Sequence, residues 1–225
     1  MSTVAKLPAA ARSAMGGSLR LVKEYIYAFR TLLLRGDRRH WVRVASGGVP
    51  HWDARNEMIA AAIPANSSVA DLGCGPQTLR GHLKPGCIYK PFDQVRSSPS
   101  VGFIDINAGV YPRIDDVVDY IVVSGVLEYI WNPRELLGRI APLARRICLS
   151  YNVLAPRETR RSRLAKLWVN HLTQTELEQM FSDLHLTWRV VDRSLPSEFI
   201  YMLEHTDAAT APDAKVRATQ ARRSD

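Results

Sequence analysis

Ser68-Val69-Ala70-Asp71-Leu72-Gly73-Cys74-Gly75-Pro76-Gln77-Thr78 is the stretch on which the reading of this chain turns. Its apolar residues Val69, Ala70 and Leu72 predict a short buried strand that delivers Asp71 into two glycines spaced Gly-x-Gly. Pro76 suits the first turn of a helix, where a missing N–H removes no hydrogen bond. Strand, glycine turn and helix N-terminus together make a ligand cradle. Glycine lets backbone approach a ligand closely, and the helix end favours a negative group. An ordinary glycine turn is the plainer reading of the same residues. The dinucleotide fingerprint Gly-x-Gly-x-x-Gly is another, but it asks for glycine at position 78, where Thr78 stands.

Ala70-Asp71-Leu72-Gly73-Cys74-Gly75 resembles motif I of class I S-adenosylmethionine (SAM) methyltransferases. The acid two residues before the first glycine makes this more specific than a bare Gly-x-Gly. The resemblance implies a Rossmann-like α/β fold: a seven-stranded, mostly parallel sheet with an antiparallel last strand, flanked by helices. Cys87–Phe92 reads as the second strand and puts Asp93 at 22 residues after Asp71. An acid there bonds both ribose hydroxyls in the family, since a carboxylate offers two accepting oxygens. The plainer reading is an Asp that opens a turn. A third strand, Val101–Ile106, leads into Asp105-Ile106-Asn107, which resembles the motif that reads the adenine amino group; a simple strand-end Asp fits too. Asp119 to Tyr129, with Asn132-Pro133 after it, resembles the fourth motif of the ubiquinone-type and MetW-like branch, with Tyr129 where His is usual. The implied cofactor-binding set is Asp71, Gly73, Cys74, Gly75, Asp93, Gln94, Asp105, Ile106 and Ser124, and the implied cofactor is SAM. Glu128, Tyr129 and His171 are the candidates for a general base, should the acceptor need one.

The chain departs from the family pattern in two places. Only seven residues, Gln94–Ser100, separate the second strand's acid from the third strand. Parallel crossovers usually take about a dozen or more, so the helix expected here is lost or reduced to a turn. Gln77 stands where the family has a third glycine, and its side chain is expected to crowd the methionine end of SAM.

With 225 residues the chain has room for one α/β domain and appendages. Its net charge of +8 is local: residues 1–45 carry nine Lys/Arg against two acids, while residues 46–205 balance at 17 against 17. The expected organisation is a disordered basic arm over 1–17, an amphipathic helix and linker over 18–45, the methyltransferase domain over 46–205 and a disordered tail over 206–225. In the segment Ser18–Arg35, Leu19, Val22, Ile26, Phe29 and Leu33 recur at helical spacing. A lid packed on the domain is the favoured reading of this helix. The sharper alternative lays it on an anionic membrane, helped by Arg38, Arg39, Trp41 and Arg43. A transit peptide would need a cleavage signal that the arm lacks. Cys74, Cys87 and Cys148 lie in or beside apolar runs without C-x-x-C spacing, so they read as reduced, buried thiols rather than metal ligands. No apolar run approaches the ~18 residues of a membrane span. The expected location is cytoplasmic, with peripheral membrane contact through 18–45 as the variant.

Asp53 is expected to cap a helix over Ala54–Ile63, Asn132 one reaching about Leu143, and Thr173 with Glu176 forms a capping-box pattern. Arg157, Arg160, Arg161, Arg163 and Lys166 suggest a basic lid over an acidic or phosphorylated acceptor; a solvated helix face fits them as well. The Asn/Asp-Pro-Pro-Tyr motif of amino-methylating DNA enzymes is missing and no aromatic–basic interleaving occurs, so no nucleic-acid partner is expected. The functional expectation is a SAM-dependent methyltransferase acting on a small-molecule, lipid or glycan acceptor, an acidic one included. The alternative is a non-catalytic, MetW-like binding or regulatory protein. Modification of protein or RNA through the basic arm is the weakest option.

Overall fold

The computed structural model describes residues 9–34, 41–42, 50–193 and 197–206. Helix α1 spans Ala9–Leu34 and α2 spans Pro50–Ala61. The alternating part follows with β1 (Ser68–Leu72), α3 (Thr78–His82), β2 (Ile88–Asp93), β3 (Gly102–Phe103), β4 (Val118–Val123), α4 (Pro133–Ile140) and β5 (Ala144–Asn152). Helices α5 (Arg160–Ala165) and α6 (Gln174–Asp183) precede the closing strands β6 (Leu186–Asp192) and β7 (Glu198–His205).

The seven strands lie in the order β3-β2-β1-β4-β5-β7-β6. The pairs from β3 to β5 are parallel, and β7 runs antiparallel to both β5 and β6. The expected sheet is therefore present, with its reversed strand. Side chains alternate between two cores, as a pleated strand with both faces covered requires. Ala70, Leu72, Ile121, Val123, Ile147 and Leu149 point to one face, where Leu136 and Leu137 of α4 and Leu177 and Phe181 of α6 cover them. Val69, Val122, Cys148, Ile200 and Met202 point to the other, under Ile59 and Ile63 at and just beyond the end of α2 and Leu79 of α3. The chain leaves β1 toward one edge through β2 and β3, then returns to the other side of β1 with β4. That reversal puts a crevice at the carboxyl ends of β1 and β4.

Several boundaries differ from the sequence expectation. Helix α1 begins at Ala9, so residues 9–17, expected to be disordered, are helical; three successive alanines are strong helix formers and extend a helix already nucleated downstream. The expected disorder of residues 1–8 and 207–225 and the expected membrane contacts of Arg38, Arg39 and Arg43 fall on residues that lie outside the described ones, as do residues 35–40 and 43–49 of the linker. Helix α2 opens at Pro50, which places Asp53 in its first turn rather than at its cap. The third strand shrinks to two residues and then a single 3-10 turn, Ile106–Ala108. Gln94–Ser100 forms bends and a turn without a helix, as the short crossover requires. Asn132 caps α4 by accepting from the Glu135 N–H at 3.2 Å, and Thr173 and Glu176 form the full reciprocal box at α6. Of the cysteines, all are free, but Cys87 is only partly buried.

Candidate active site

The carboxyl ends of β1, β2 and β4 open into a cavity of about 460 Å³. All nine residues expected to hold a cofactor line it. They meet there because each sits at or just beyond a strand end, where local apolar runs hand the chain to a turn.

Gly73 and Gly75 adopt positive φ of 75° and 50°, and the turn hangs from β2 by Gly73 N–H and Cys74 N–H donating to the Phe92 carbonyl at 2.8 and 3.1 Å. A side chain at Gly73 would meet Val126 Cγ2 at 2.4 Å, so the backbone here packs too closely for any Cβ. At Gly75 an added Cβ meets nothing within 4 Å, which marks open space beside the turn. Gly75 N–H donates to Asp93 Oδ2 at 2.9 Å and Val95 N–H to Oδ1 at 2.8 Å. Each oxygen keeps a further lone pair for a hydroxyl donor.

Gln77 corrects the expectation of crowding. Its backbone takes the left-handed conformation at φ 62°, which a glycine would adopt freely. Its side chain leaves the cleft, with Nε2 reaching toward Ser98 Oγ at 3.4 Å, and it is not part of the cavity lining. The substitution therefore introduces backbone strain and takes no ligand space.

A buried polar chain forms the floor. Glu198 Oε1 accepts from Arg55 Nη1 at 2.7 Å, Arg55 Nε donates to Ser124 Oγ at 2.9 Å, and Ser124 Oγ donates to Asn56 Oδ1 at 2.7 Å. Asn56 Nδ2 continues to Thr78 Oγ1 at 2.6 Å. Arg55 and Glu198 are both buried, as charges are only when paired. Gly125, at φ 62°, gives the guanidinium its room: a Cβ there would lie 2.4 Å from Arg55 Nη2. Arg55 and Asn56 escaped the sequence reading because nothing local marks them. Asp71 is buried beside this chain and accepts from the Tyr89 hydroxyl at 2.6 Å. Burial pushes its carboxyl up to about 7; the Tyr89 hydroxyl opposes the rise, Asp93 adds to it and Arg55 opposes it.

Of the three candidate bases, only Tyr129 lines the cavity. Burial, with Glu128 nearby, pushes its phenol up to about 12, which leaves it a donor at neutral pH. Glu128 turns inward and ties down β5, accepting from Asn152 N–H at 2.8 Å and from its side-chain amide at 3.0 Å. His171 lies outside the lining, and burial followed by Arg163 and Arg160 holds its pKa low. Trp41, Trp52 and Trp131 line the cavity alongside Tyr129, whose ring meets Trp41 edge-on at 4.5 Å.

The arginines of 157–163 do not form a basic wall on the cleft, since none is in its lining. Arg163 is fully buried: it donates to Glu158 Oε2 at 2.9 Å and to the Asn152 carbonyl at 2.7 Å, and its guanidinium lies 4.7 Å from the Trp168 ring centroid. Arg161 reaches α1, donating to the Tyr25 hydroxyl at 3.0 Å and pairing with Glu24 at 3.4 Å. Arg157 and Arg160 are exposed. The sequence pattern shows a cluster of charge; the fold uses half of it to tie α5 down.

Strand order, reversed strand and crevice are those of the class I methyltransferase fold. The plantazolicin methyltransferase BpumL, solved with a monoazolic desmethylPZN analog and SAH, superposes with a TM-score of 0.52 at 14% identity over 83% of this chain and 96% of that one. Human N-acetylserotonin methyltransferase in complex with SAM gives 0.52 at 16% identity, over 70% of this chain and 53% of the human one. The [4+2]-cyclase SpnF gives 0.52 at 14% identity, over 68% of this chain and 80% of the cyclase. The fold thus also occurs in a protein named for a different reaction, and function has to be argued from the site. In sequence, the chain is 30% identical over 122 aligned positions to the bifunctional methionine biosynthesis protein MetXA/MetW of Rhodopirellula baltica. That match covers 46% of this chain and 20% of the relative, so it spans about a fifth of the relative's length. No protein-family model matches.

Proposed function

We propose that this chain binds SAM in the cleft and transfers its methyl group to a small-molecule acceptor. The observation that carries the reading is the convergence of all nine motif positions on one cavity of about 460 Å³, within the ordinary range for ligand sites. The residues fit the cofactor: the open space at Gly75 admits a ligand against the backbone, and Asp93 retains lone pairs for ribose hydroxyls. Asp105 and Ile106 would face the adenine, and Asp71, beside the glycine turn, would face the methionine end. SAM, when bound, supplies a methyl group already activated by its sulfonium charge. What remains for the protein is to hold the acceptor in line and exclude water, a proximity effect worth several kcal/mol. Trp41, Trp52, Tyr129 and Trp131 make the wall for an acceptor with a planar or apolar part, and the Tyr129 hydroxyl donates a hydrogen bond rather than removing a proton. An acidic acceptor loses its motive, because the arginines that suggested it lie elsewhere.

Calorimetry with SAM and with S-adenosylhomocysteine tests the proposal directly. Asp93→Ala should weaken either ligand by about 1–3 kcal/mol, since it leaves ribose hydroxyls unpaired. Absence of binding by the unmodified chain would sink the reading. A non-catalytic binding protein shares the same cleft, and the inward turn of Glu128 and the outlying place of His171 favour it for acceptors that need deprotonation. It is separated by turnover: SAM bound tightly with no acceptor methylated across a broad screen of phenols, amines and thiols.

A further inference from the structure

Helix α1 meets the protein through its small and polar residues, not through its apolar face. Ala28 and Thr31 are buried and Glu24 is half-buried. The Thr31 hydroxyl donates to the Leu164 carbonyl of α5 at 2.8 Å, and Arg161 holds Glu24 and Tyr25. Away from these contacts Val22, Ile26, Phe29 and Leu33 follow one another at helical spacing, with Leu21 and Leu32 beside them, all exposed, Ile26 at 60%, Phe29 at 64% and Leu33 at 65%. A lid would have turned these side chains inward. A contiguous exposed apolar face of this kind marks an interaction surface.

We infer that α1 docks this face on an anionic lipid bilayer. Charge selects the occupant. Residues 1–45 carry nine Lys/Arg against two acids, while residues 46–205 are balanced, so along the sequence the chain's excess positive charge falls on and beside the segment that forms this helix. Exposed Lys23 and Arg30 lie along one edge of the apolar stripe, and long basic stems of this kind run along apolar surface. A second copy of the chain is the poorer occupant, because two such arms repel each other when their apolar faces meet. No helix among the described residues is long and apolar enough to cross a membrane, so α1 would lie in the interface plane with Ile26 and Phe29 entering the acyl boundary. Its ties to α5 fix how the domain sits over the lipid. Arg30 and Thr31 also line the cleft, so docking brings the mouth of the cavity beside the surface. The inference stands independently of whether the cleft binds SAM.

The test is co-sedimentation of the full chain with vesicles of phosphatidylcholine alone and of phosphatidylcholine mixed with phosphatidylserine, at low and high salt. Partition should favour the mixed vesicles and weaken as salt rises. Ile26→Glu combined with Phe29→Glu should reduce it by about tenfold or more while leaving the melting temperature unchanged, since both side chains are already in water. If that variant does not fold, the lipid and salt dependence of the unmodified chain decides alone. Equal partition to both vesicle types, or none to either, overturns the inference. So does a concentration-dependent dimer in sedimentation velocity that the same double substitution abolishes, because the face would then belong to a second copy.

Discussion

At the scale of single residues, Asp71 links the site to stability. Its carboxyl is lifted to about 7 by burial, so the folded protein holds a proton that the unfolded chain releases near its ordinary value of 3.8. The stability this contributes is full below about 4 and is lost as pH rises toward 7, at up to ~1.4 kcal/mol per pH unit. Urea titrations between about pH 5 and pH 7 should therefore show a slope that Asp71→Asn flattens, because the amide cannot ionise yet still accepts from Tyr89. An unchanged slope would assign the titration to another group. Gln77 gives a second residue-scale expectation. Gln77→Gly relieves a left-handed backbone but frees the unfolded chain, so stability should move by no more than about 1 kcal/mol. SAM affinity should not change in calorimetry, since the side chain already points away; a large gain would mean that Gln77 enters the cleft in solution. The Gln77 outcome shows what sequence could and could not say. The motif revealed that a side chain occupies a glycine position, but only the neighbouring turn at Ser98 shows where that side chain goes.

At the scale of elements, β1, β2 and β4 were legible because each is an apolar run that ends at or beside a glycine or an acid, a local signal, whereas the make-up of the sheet came from the resemblance to the family. Helix α2 was legible only as a helix. Its functional residues are defined by contacts far along the chain: Arg55 meets Ser124 across 69 residues and Glu198 across 143. This pair pins α2 to the start of β7 beneath the cleft. Arg55→Met should cost about 3–5 kcal/mol in urea denaturation, because Glu198 is left charged, buried and alone. Adding Glu198→Met should recover a large part of that loss, which a double-mutant cycle reads directly. Additive losses would show that the two side chains do not depend on each other. The same logic explains the arginines of α5. Composition announced a basic segment, but whether an arginine faces a ligand or a Trp ring is settled by tertiary packing.

At the scale of the whole molecule, α1 stands apart from the architecture it adjoins. Among the described residues, neither core cluster includes one of its side chains; it packs along α5, with Ala28 and Thr31 buried, Thr31 bonded to the Leu164 carbonyl and Arg161 set against Glu24 and the Tyr25 ring. The amphipathic pattern of this helix was plain in the sequence, yet a hydrophobic face says only that something covers it, not what does. Deleting residues 1–34 should therefore leave a cooperative domain. The hydrogen bonds that tie α1 to α5 together stabilise the fold by about 1–2 kcal/mol, so their removal should lower the melting temperature by roughly 3–8 °C. Binding of S-adenosylhomocysteine should survive within about tenfold, because the nine motif positions lie between Asp71 and Ser124, and among the described residues α1 contributes only Arg30 and Thr31 to the cavity wall. A deletion that abolishes cooperative unfolding would instead make α1 part of the fold's own core. A deletion that keeps the fold but loses the ligand would mean that Arg30 and Thr31 close the cofactor end of the cleft rather than its mouth.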